Sequence, residues 1–324
     1  MKECNILNFL RQRKEYYISG EEISKKLKVS RSAVWKEMQT LRKLGYEIEA
    51  QPHLGYRLLA VPDKMFADEL VYDLGTKFIG REIYSYDELD STNDTVFQLG
   101  KNNAKEGVCI FSEYQNKGRG RLGRSWVSPK GKNVILSVLL RPLLLPQEVS
   151  RLTLACAVSV IKAIKKTTQK NLGIKWPNDI YYENKKVGGI LTEMSAESDR
   201  INFIVVGIGI NLNADVGELP SGSTSLKKIT GHRINRIRFA QQLLRELETD
   251  YLQLKNGHFD ALAKDWEEFS ITSGQRVVAT LFGRKIEGQA IGIDKDGALW
   301  IRQDNGFQER ILAGDVEHLS AKEK

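Results

Sequence analysis

Residues 113–126 read EYQNKGRGRLGRSW, the most informative stretch of this 324-residue chain. Four cations lie in the eight residues 117–124, interleaved with three glycines. Glycine lets the backbone approach a ligand and adopt positive φ, and arginine presents a planar, permanent positive charge to phosphates. The stretch therefore predicts a flexible cationic loop that neutralises a nucleotide's charge. The alternative is a surface loop whose arginines are merely solvated.

The glycines at 118, 120 and 123 also match the dinucleotide-binding pattern G-x-G-x-x-G. That fingerprint needs a buried strand before it and a helix that opens within it. Here the polar residues 114–116 precede the loop, and Pro129 soon after it argues against a helix. We therefore reject a Rossmann site, and the sequence also has no Walker A lysine motif.

Four other segments carry polar or glycine-rich chemistry: 90–94 (DSTND), 175–179 (KWPND), 185–190 (KKVGGI) and 207–211 (GIGIN). Ser91 and Thr92 are candidate helix N-caps or ligands of a small polar molecule. The lysine, indole and carboxylate within 175–179 suit phosphate contact, adenine stacking and metal binding.

Residues 63–270 alternate strand-like and helix-like segments, which predicts a mixed α/β domain of enzyme size. The predicted strands are 82–86, 108–112, 133–140, 174–176, 186–196 and 201–212, and the predicted helices are 93–99, 147–169, 237–254 and 259–269. Residues 271–324 contain short strands at 277–281, 286–293, 299–302 and 307–312, split by turn sequences. Such a pattern predicts a small SH3-like β-barrel.

Residues 1–62 predict a winged helix-turn-helix. Ser19 and Glu22 fit a capping box, and Ser30 begins a second helix with apolar residues at 34, 38, 41 and 44. Two predicted strands, 46–50 and 55–59, then form the wing. Residues 1–60 hold 12 Lys/Arg and 7 Asp/Glu, so this segment carries +5 of the chain's net charge of +8. This basic excess favours DNA over the alternative, a helical protein-interaction module, and the predicted DNA contacts are Ser30, Arg31, Ser32 and Lys36.

Composition and cysteine usage predict a soluble, cytoplasmic, globular protein. Hydrophobic residues make up 41% of the chain, and no apolar run reaches the roughly 18 residues of a membrane helix. The N-terminus lacks a signal-peptide pattern. Cys4, Cys109 and Cys156 are far apart, without metal-ligand spacing or the context of a nucleophile. We therefore expect no membrane contact, no structural zinc and no covalent enzyme intermediate.

The five polar segments, in this order, resemble those of biotin–protein ligases, and the resemblance covers most of the chain. With the helix-turn-helix added, the chain is similar to the bifunctional family of biotin–protein ligases and biotin operon repressors. The resemblance implies domains at 1–62 (DNA-binding), 63–270 (ligase) and 271–324 (SH3-like). It also implies biotin and ATP as substrates, Mg²⁺ with the ATP, and no tightly bound prosthetic group.

The resemblance also implies the site residues. Arg119 and Lys186 would be catalytic, and Asp179 would bind Mg²⁺. Biotin would contact Ser91, Thr92, Asn93, Gln115, Gly118, Arg119, Gly120, Arg121, Lys186 and Gly189. The nucleotide would contact Arg121, Arg124, Trp126, Lys175, Asn178 and Asn211.

The implied reaction forms biotinyl-5'-AMP and transfers biotin to a lysine of a carboxyl carrier protein domain, such as that of acetyl-CoA carboxylase. The adenylate would also be co-repressor of biotin synthesis genes, with a homodimer bound to operator DNA. A lipoate–protein ligase is one alternative, although it lacks the arginine–glycine loop and the helix-turn-helix. Another is a ligand-responsive transcription factor with an inactive core, against which the intact cationic cluster argues.

Overall fold

The computed structural model of the protein describes residues 6–197, 200–281 and 283–319. The chain forms two compact units, Met1–Lys64 and Met65–Lys324. No helix within the described ranges is long and apolar enough to cross a membrane. The three domain limits expected from the sequence stay predictions.

The first unit is a helix-turn-helix followed by an antiparallel β-hairpin. Ser19 Oγ accepts a hydrogen bond from Glu22 N, and Ser30 Oγ accepts one from Ala33 N, so both predicted serine N-caps are present. The third helix buries Val34, Met38 and Leu41 of its predicted apolar stripe, whereas Leu44 follows the helix and is exposed. The elements are α1 (Ile6–Gln12), α2 (Gly20–Leu27), α3 (Arg31–Lys43), β1 (Glu47–Gln51) and β2 (Gly55–Ala60).

A mixed sheet forms the centre of the second unit. Among the described residues it has seven strands in the order β3-β4-β5-β9-β8-β7-β6. β3 and β4 are parallel, and the other neighbouring pairs are antiparallel. The strands are β3 (Ile83–Tyr86), β4 (Cys109–Ser112), β5 (Val134–Leu140), β6 (Gly173–Lys175), β7 (Asp179–Tyr182), β8 (Lys185–Glu197) and β9 (Arg200–Ile210).

Helices pack on the central sheet. β5 alternates between two cores, since Leu136 and Val138 belong to the large core that includes α6, α8 and α9, whereas Leu139 packs with α5 residue Val96. This alternation follows from the two-residue period of a strand. The helices are α4 (Ala67–Val71), α5 (Thr92–Lys101), α6 (Val149–Thr168), α7 (Leu226–Thr230), α8 (Arg236–Lys255) and α9 (Phe259–Phe269).

The C-terminal part of the second unit is an antiparallel sheet, with five strands within the described ranges in the order β13-β12-β11-β10-β14. Its apolar residues, such as Val277 and Ile301, share the large core of the central sheet. The predicted β-domain is therefore confirmed, and its closure into a barrel stays a prediction. The strands are β10 (Arg276–Leu281), β11 (Arg284–Ile293), β12 (Leu299–Arg302), β13 (Gln308–Ile311) and β14 (Asp315–His318).

Candidate active site

A cavity of about 300 Å³ lies in the second unit, between the 113–126 loop and strands β8 and β9. The N-terminus of α5 and residues of β14 complete its wall. It brings together most of the site residues that the sequence predicts: Ser91, Thr92, Asn93, Gln115, Arg119, Gly120, Arg121, Arg124, Trp126, Lys175, Asn178, Asp179, Lys186 and Gly189.

The cationic loop is folded into a hairpin rather than extended. Gly120 N donates to Arg124 O at 2.7 Å, and Trp126 N donates to Gly118 O at 2.9 Å. The turn between them needs positive φ at Gly123 (74°), a conformation that glycine adopts without steric cost. Side chains from both strands of this hairpin therefore line the cavity.

A buried polar group forms one end of the cavity. Thr92 donates to Gln115 Oε1 from both N (2.7 Å) and Oγ1 (2.9 Å), and Ser137 Oγ lies 2.7 Å from Thr92 Oγ1. Ser91 Oγ caps α5 by accepting from Asp94 N at 3.4 Å. These bonds fix the Gln115 amide in one orientation, so the group is preorganised for a small polar ring.

Asn93 is engaged at both ends of its amide. Its Oδ1 lies 2.6 Å from Ser137 Oγ, and its Nδ2 donates to Glu193 Oε2 at 2.6 Å. A Cβ on Gly207 would come within 2.2 Å of Asn93 Oδ1, so glycine is needed there to admit the amide. Asn93 lines the cavity as predicted, but its polar atoms bond to the protein.

Arg119 is held by two carboxylates. Its guanidinium donates to Asp94 Oδ2 at 2.9 Å and to both Glu193 oxygens at 2.9 and 3.1 Å. A guanidinium neutralised in this way has less charge to offer a phosphate. The catalytic role expected of Arg119 stays a prediction, to which this pairing gives no support.

Arg121 differs from Arg119 in its surroundings. It donates to Asn178 Oδ1 at 3.0 Å and to the Gly314 carbonyl at 2.9 Å. Burial lowers the pKa of its guanidinium, although arginine stays protonated at neutral pH. Neither hydrogen bond is to a carboxylate, so Arg121 brings a net positive charge to the cavity. Arg124, on the same hairpin, is ion-paired with Asp315 of β14.

Lys186, Asp179 and Trp126 form a second group in the cavity. Lys186 Nζ lies 2.7 Å from Asp179 Oδ1 and 5.8 Å from the centroid of the Trp126 ring. The indole packs on Gly209, where a Cβ would come within 2.5 Å of the ring. Its buried Nε1 has no hydrogen-bond partner within the part of the chain that the structure describes. Buried donors normally have partners, so a ligand acceptor would be favoured here.

Lys175 and Trp176 occupy different environments. Lys175 lines the cavity, and burial holds the pKa of its amine below the usual range. Its Nζ lies 5.2 Å from the centroid of the Tyr181 ring. Trp176 is 2% exposed, and its Nε1 donates to Gly297 O at 3.2 Å. The indole of the 175–179 segment also contributes to the cavity wall, so its expected adenine-stacking role stays a prediction, to which its near-complete burial gives no support.

Two predicted ligand residues do not line the cavity, namely Gly118 and Asn211. A Cβ on Gly118 would come within 2.4 Å of Trp126 O, so this glycine permits the close pairing of the hairpin strands. Asn211 is buried, and its Oδ1 accepts from Asn133 Nδ2 at 3.2 Å. Their ligand roles stay predictions that these positions do not support.

Several residues at the site lie outside the sequence prediction: Asp94, Ser137, Glu193, Asp315 and Glu317. Ser137 lies within β5, where a polar residue in an apolar strand was the available signal, and Glu193 lies within the mixed strand β8, which gave no such signal. Asp315 and Glu317 belong to β14 and line the cavity. Only the folded chain brings that strand to the loop.

The cysteines and acidic residues within the described ranges offer neither an exposed thiol nor a cluster of metal ligands. Cys109 and Cys156 are fully buried free thiols, and burial raises the pKa of both well above the usual range. Cys4 lies outside the described residues. Within the described ranges, no group of three or more His, Cys, Asp or Glu side chains could hold a metal ion.

The predicted DNA contacts lie at the start of α3 in the first unit. Arg31, Ser32 and Lys36 are exposed. Ser30 caps the helix, and Arg31 is ion-paired with Glu21 at 3.0 Å. To contact DNA as predicted, Arg31 would therefore have to break its ion pair with Glu21.

Family models match all three parts of the chain. A model described as the biotin/lipoate A/B protein ligase family matches residues 86–211. An HTH domain model matches residues 3–57, and a biotin protein ligase C-terminal domain model matches residues 272–319. Fold and site together define a protein ligase of the biotin and lipoate class, joined to a helix-turn-helix.

Individual relatives narrow this class. The chain is 37% identical to the bifunctional ligase/repressor BirA of Bacillus subtilis, over 97% of each chain, and 30% identical to that of Escherichia coli, over 94% of each. Its structure resembles the biotin protein ligase of Aquifex aeolicus in complex with biotin and ATP, with a TM-score of 0.64 and 30% identity over 74% of this chain and 100% of that chain. The chain belongs to the family of bifunctional biotin ligase/repressors.

Proposed function

We propose that this protein activates biotin with ATP, transfers it to a lysine of an acceptor domain, and represses biotin synthesis genes. The observation that carries the enzymatic proposal is the cavity itself. It combines a buried polar group around Thr92 and Gln115 with Arg121, Lys175 and Lys186. A neutral hydrogen-bonding end suits the ureido ring of biotin, and the cationic end suits a nucleotide's phosphates.

In the first step, the biotin carboxylate attacks the α-phosphorus of ATP. A carboxyl oxygen–phosphorus bond forms, the bond from that phosphorus to the bridging oxygen breaks, and pyrophosphate leaves. Arg121 offsets the negative charge that develops on the phosphoryl oxygens, and Lys186 would add to this once it leaves Asp179. Trp126 flanks this end of the cavity and offers its indole to the adenosine side.

In the second step, an acceptor lysine amine attacks the carbonyl carbon of biotinyl-5'-AMP. A carbon–nitrogen bond forms, the bond to the phosphate oxygen breaks, and AMP leaves as the amine loses a proton. The hairpin at 118–126 borders the cavity and would shield the anhydride from water. Arg121, which is not paired with a carboxylate, favours the anionic leaving group.

Mg²⁺ fits the donor set when it comes with ATP. Mg²⁺ is usually bound by one or two carboxylates together with substrate phosphates and water. Asp179 provides one such carboxylate at the cavity, beside Lys186. Bound there, Mg²⁺ would neutralise phosphate charge during pyrophosphate release.

The enzymatic proposal is tested with purified protein, Mg·ATP, biotin and a carboxyl carrier protein domain. We expect biotin-dependent pyrophosphate release and labelling of one carrier lysine. Lipoate in place of biotin should give neither product, which separates this function from lipoate ligation. Absence of both adenylation and labelling would leave the transcription factor with an inactive core as the better account.

The repressor proposal rests on the helix-turn-helix and its basic charge. Operator DNA would be contacted from the start of α3, by Ser32 and Lys36 in particular, with the protein as a homodimer bound to biotinyl-5'-AMP. We also propose that it acts in the cytoplasm, where ATP and operator DNA are present. Deletion of residues 1–62 should abolish DNA binding and preserve ligation. Retained operator binding by the shortened chain would contradict this assignment.

A further inference from the structure

Arg119 connects the cationic hairpin to two different elements. Its guanidinium is within 2.7 Å of Asp94 Oδ1 in the first turn of α5 and within 2.9 Å of Glu193 Oε1 on β8. Arg119 also forms an antiparallel backbone bridge with Ser125. The two ion pairs therefore restrain both strands of the hairpin. Exposed isolated ion pairs contribute little, but one guanidinium shared by two carboxylates forms a network.

The same network reaches the buried polar end of the cavity. Glu193 Oε2 accepts from Asn93 Nδ2 at 2.6 Å, and Asn93 Oδ1 lies 2.6 Å from Ser137 Oγ. Ser137 Oγ lies in turn 2.7 Å from Thr92 Oγ1. A continuous chain of polar contacts thus runs from the group around Thr92 to the hairpin.

We propose that Asp94 and Glu193 are positioning residues that fasten the 118–126 hairpin over the cavity through Arg119. Their negative charges are opposite in sign to the charge of Arg119, whose engagement leaves Arg121 as the hairpin cation presented to the ligand. The inference rests on the proposed ligase function, because the fastened hairpin would retain the adenylate. Since Glu193 also contacts Asn93, one carboxylate links the ureido end to the loop.

The test compares Glu193→Gln and Asp94→Asn with a matched control, Asp90→Asn. Asp90 pairs with Lys117 of the same loop at 2.7 Å, but that pair is exposed and outside the network. All three changes replace a carboxylate with an amide of similar shape. The first readout is trypsin cleavage after Arg121 and Arg124, which every variant retains, in ligand-free protein. The second is escape of biotinyl-5'-AMP from the site.

We expect each network variant to raise both rates about fivefold, from the size of such pairs. The double variant should raise both rates further, although the two effects are coupled because both carboxylates bind one guanidinium. Asp90→Asn should match the parent. Arg119→Gln should reproduce the effect, and adding Glu193→Gln to it should change little more, which a general loss of stability would not mimic. Unchanged cleavage and escape in folded variants would overturn the inference. If the unmutated protein forms no adenylate, the proposed function is wrong instead. The cleavage comparison would still test whether Asp94 and Glu193 fasten the hairpin.

Discussion

At the scale of single residues, the arginines of one loop have different roles despite their similar sequence context. Arg119 is neutralised by carboxylates, whereas Arg121 bonds to an amide oxygen and a backbone carbonyl. Charge that is not already paired is what stabilises a developing anion in a water-poor site. Arg121 is therefore the better candidate for the phosphate clamp.

Arg121→Gln should lower the rate of biotin adenylation by about 100-fold or more, the usual cost of removing a preorganised charge donor. Pyrophosphate release in a single turnover measures this rate. Arg284→Gln is the control, because Arg284 is exposed and paired with Glu309 in the C-terminal sheet. Equal rates in the two variants would show that Arg121 does not face the reacting phosphate.

The alkaline limit of activity should depend on Lys175. Burial disfavours the charged amine, so its pKa is lowered and the charge is lost at a lower pH than for an exposed lysine. A phosphate contact that needs this charge weakens as pH rises through that pKa. Lys175→Arg keeps the charge and should move the alkaline fall in adenylation to higher pH. Lys185→Arg, at an exposed neighbouring site, should leave the profile unchanged, and an identical profile for Lys175→Arg would contradict the assignment.

The sequence predicts which residues gather at the site better than it predicts what each does. The types and order of Thr92, Gln115, Arg121 and Lys186 already indicate a small polar ligand and a nucleotide. The pairing of Arg119 with Glu193 could not be predicted, because the two residues are 74 positions apart and only the sheet brings them together. Roles that depend on such distant partners can be assigned only from the folded structure.

At the scale of elements, the sequence predicts the long segments and most of the short strands. Helix α6 and strands β8 and β9 were expected within a few residues of their observed bounds. The four-residue strands β7 and β14 were not expected. Their pairing with β8 and β10 defines these two strands.

The glycines of β9 make room for cavity side chains, and this yields a prediction for the element. In Gly209→Ala the new Cβ would collide with the Trp126 ring at 2.5–2.7 Å. The indole must move, so we expect the KM for ATP to rise by up to about 100-fold, a typical cost of a misplaced group. Gly217→Ala, which meets no atom within 4 Å, is the control. Unaltered ATP kinetics would show that Trp126 is not at the nucleotide.

At the scale of the whole molecule, two compact units carry separate chemistry, so regulation requires a coupling between them. A ligand can couple two functions only if it favours one state of the protein over another. The hairpin at 118–126 is the natural element for this, because its contacts join the cavity to the exposed surface around Arg119. Biotinyl-5'-AMP would hold this already fastened element more firmly, and two subunits could then pair with a smaller loss of entropy.

Ligand-driven pairing should make repression steep in adenylate and sensitive to salt. A pair presents two α3 helices to two half-sites and multiplies the phosphate contacts, each of which releases counterions. We therefore expect biotinyl-5'-AMP to raise both the sedimentation coefficient and the operator affinity, and added salt to reverse the second effect most strongly. Biotin alone serves as the control, since it leaves the phosphate end of the cavity unfilled. Among the species of the proposed reaction, the adenylate is the one that would signal the supply of biotin to the operator. If it changes neither association nor DNA affinity, the enzyme's own intermediate does not regulate the helix-turn-helix.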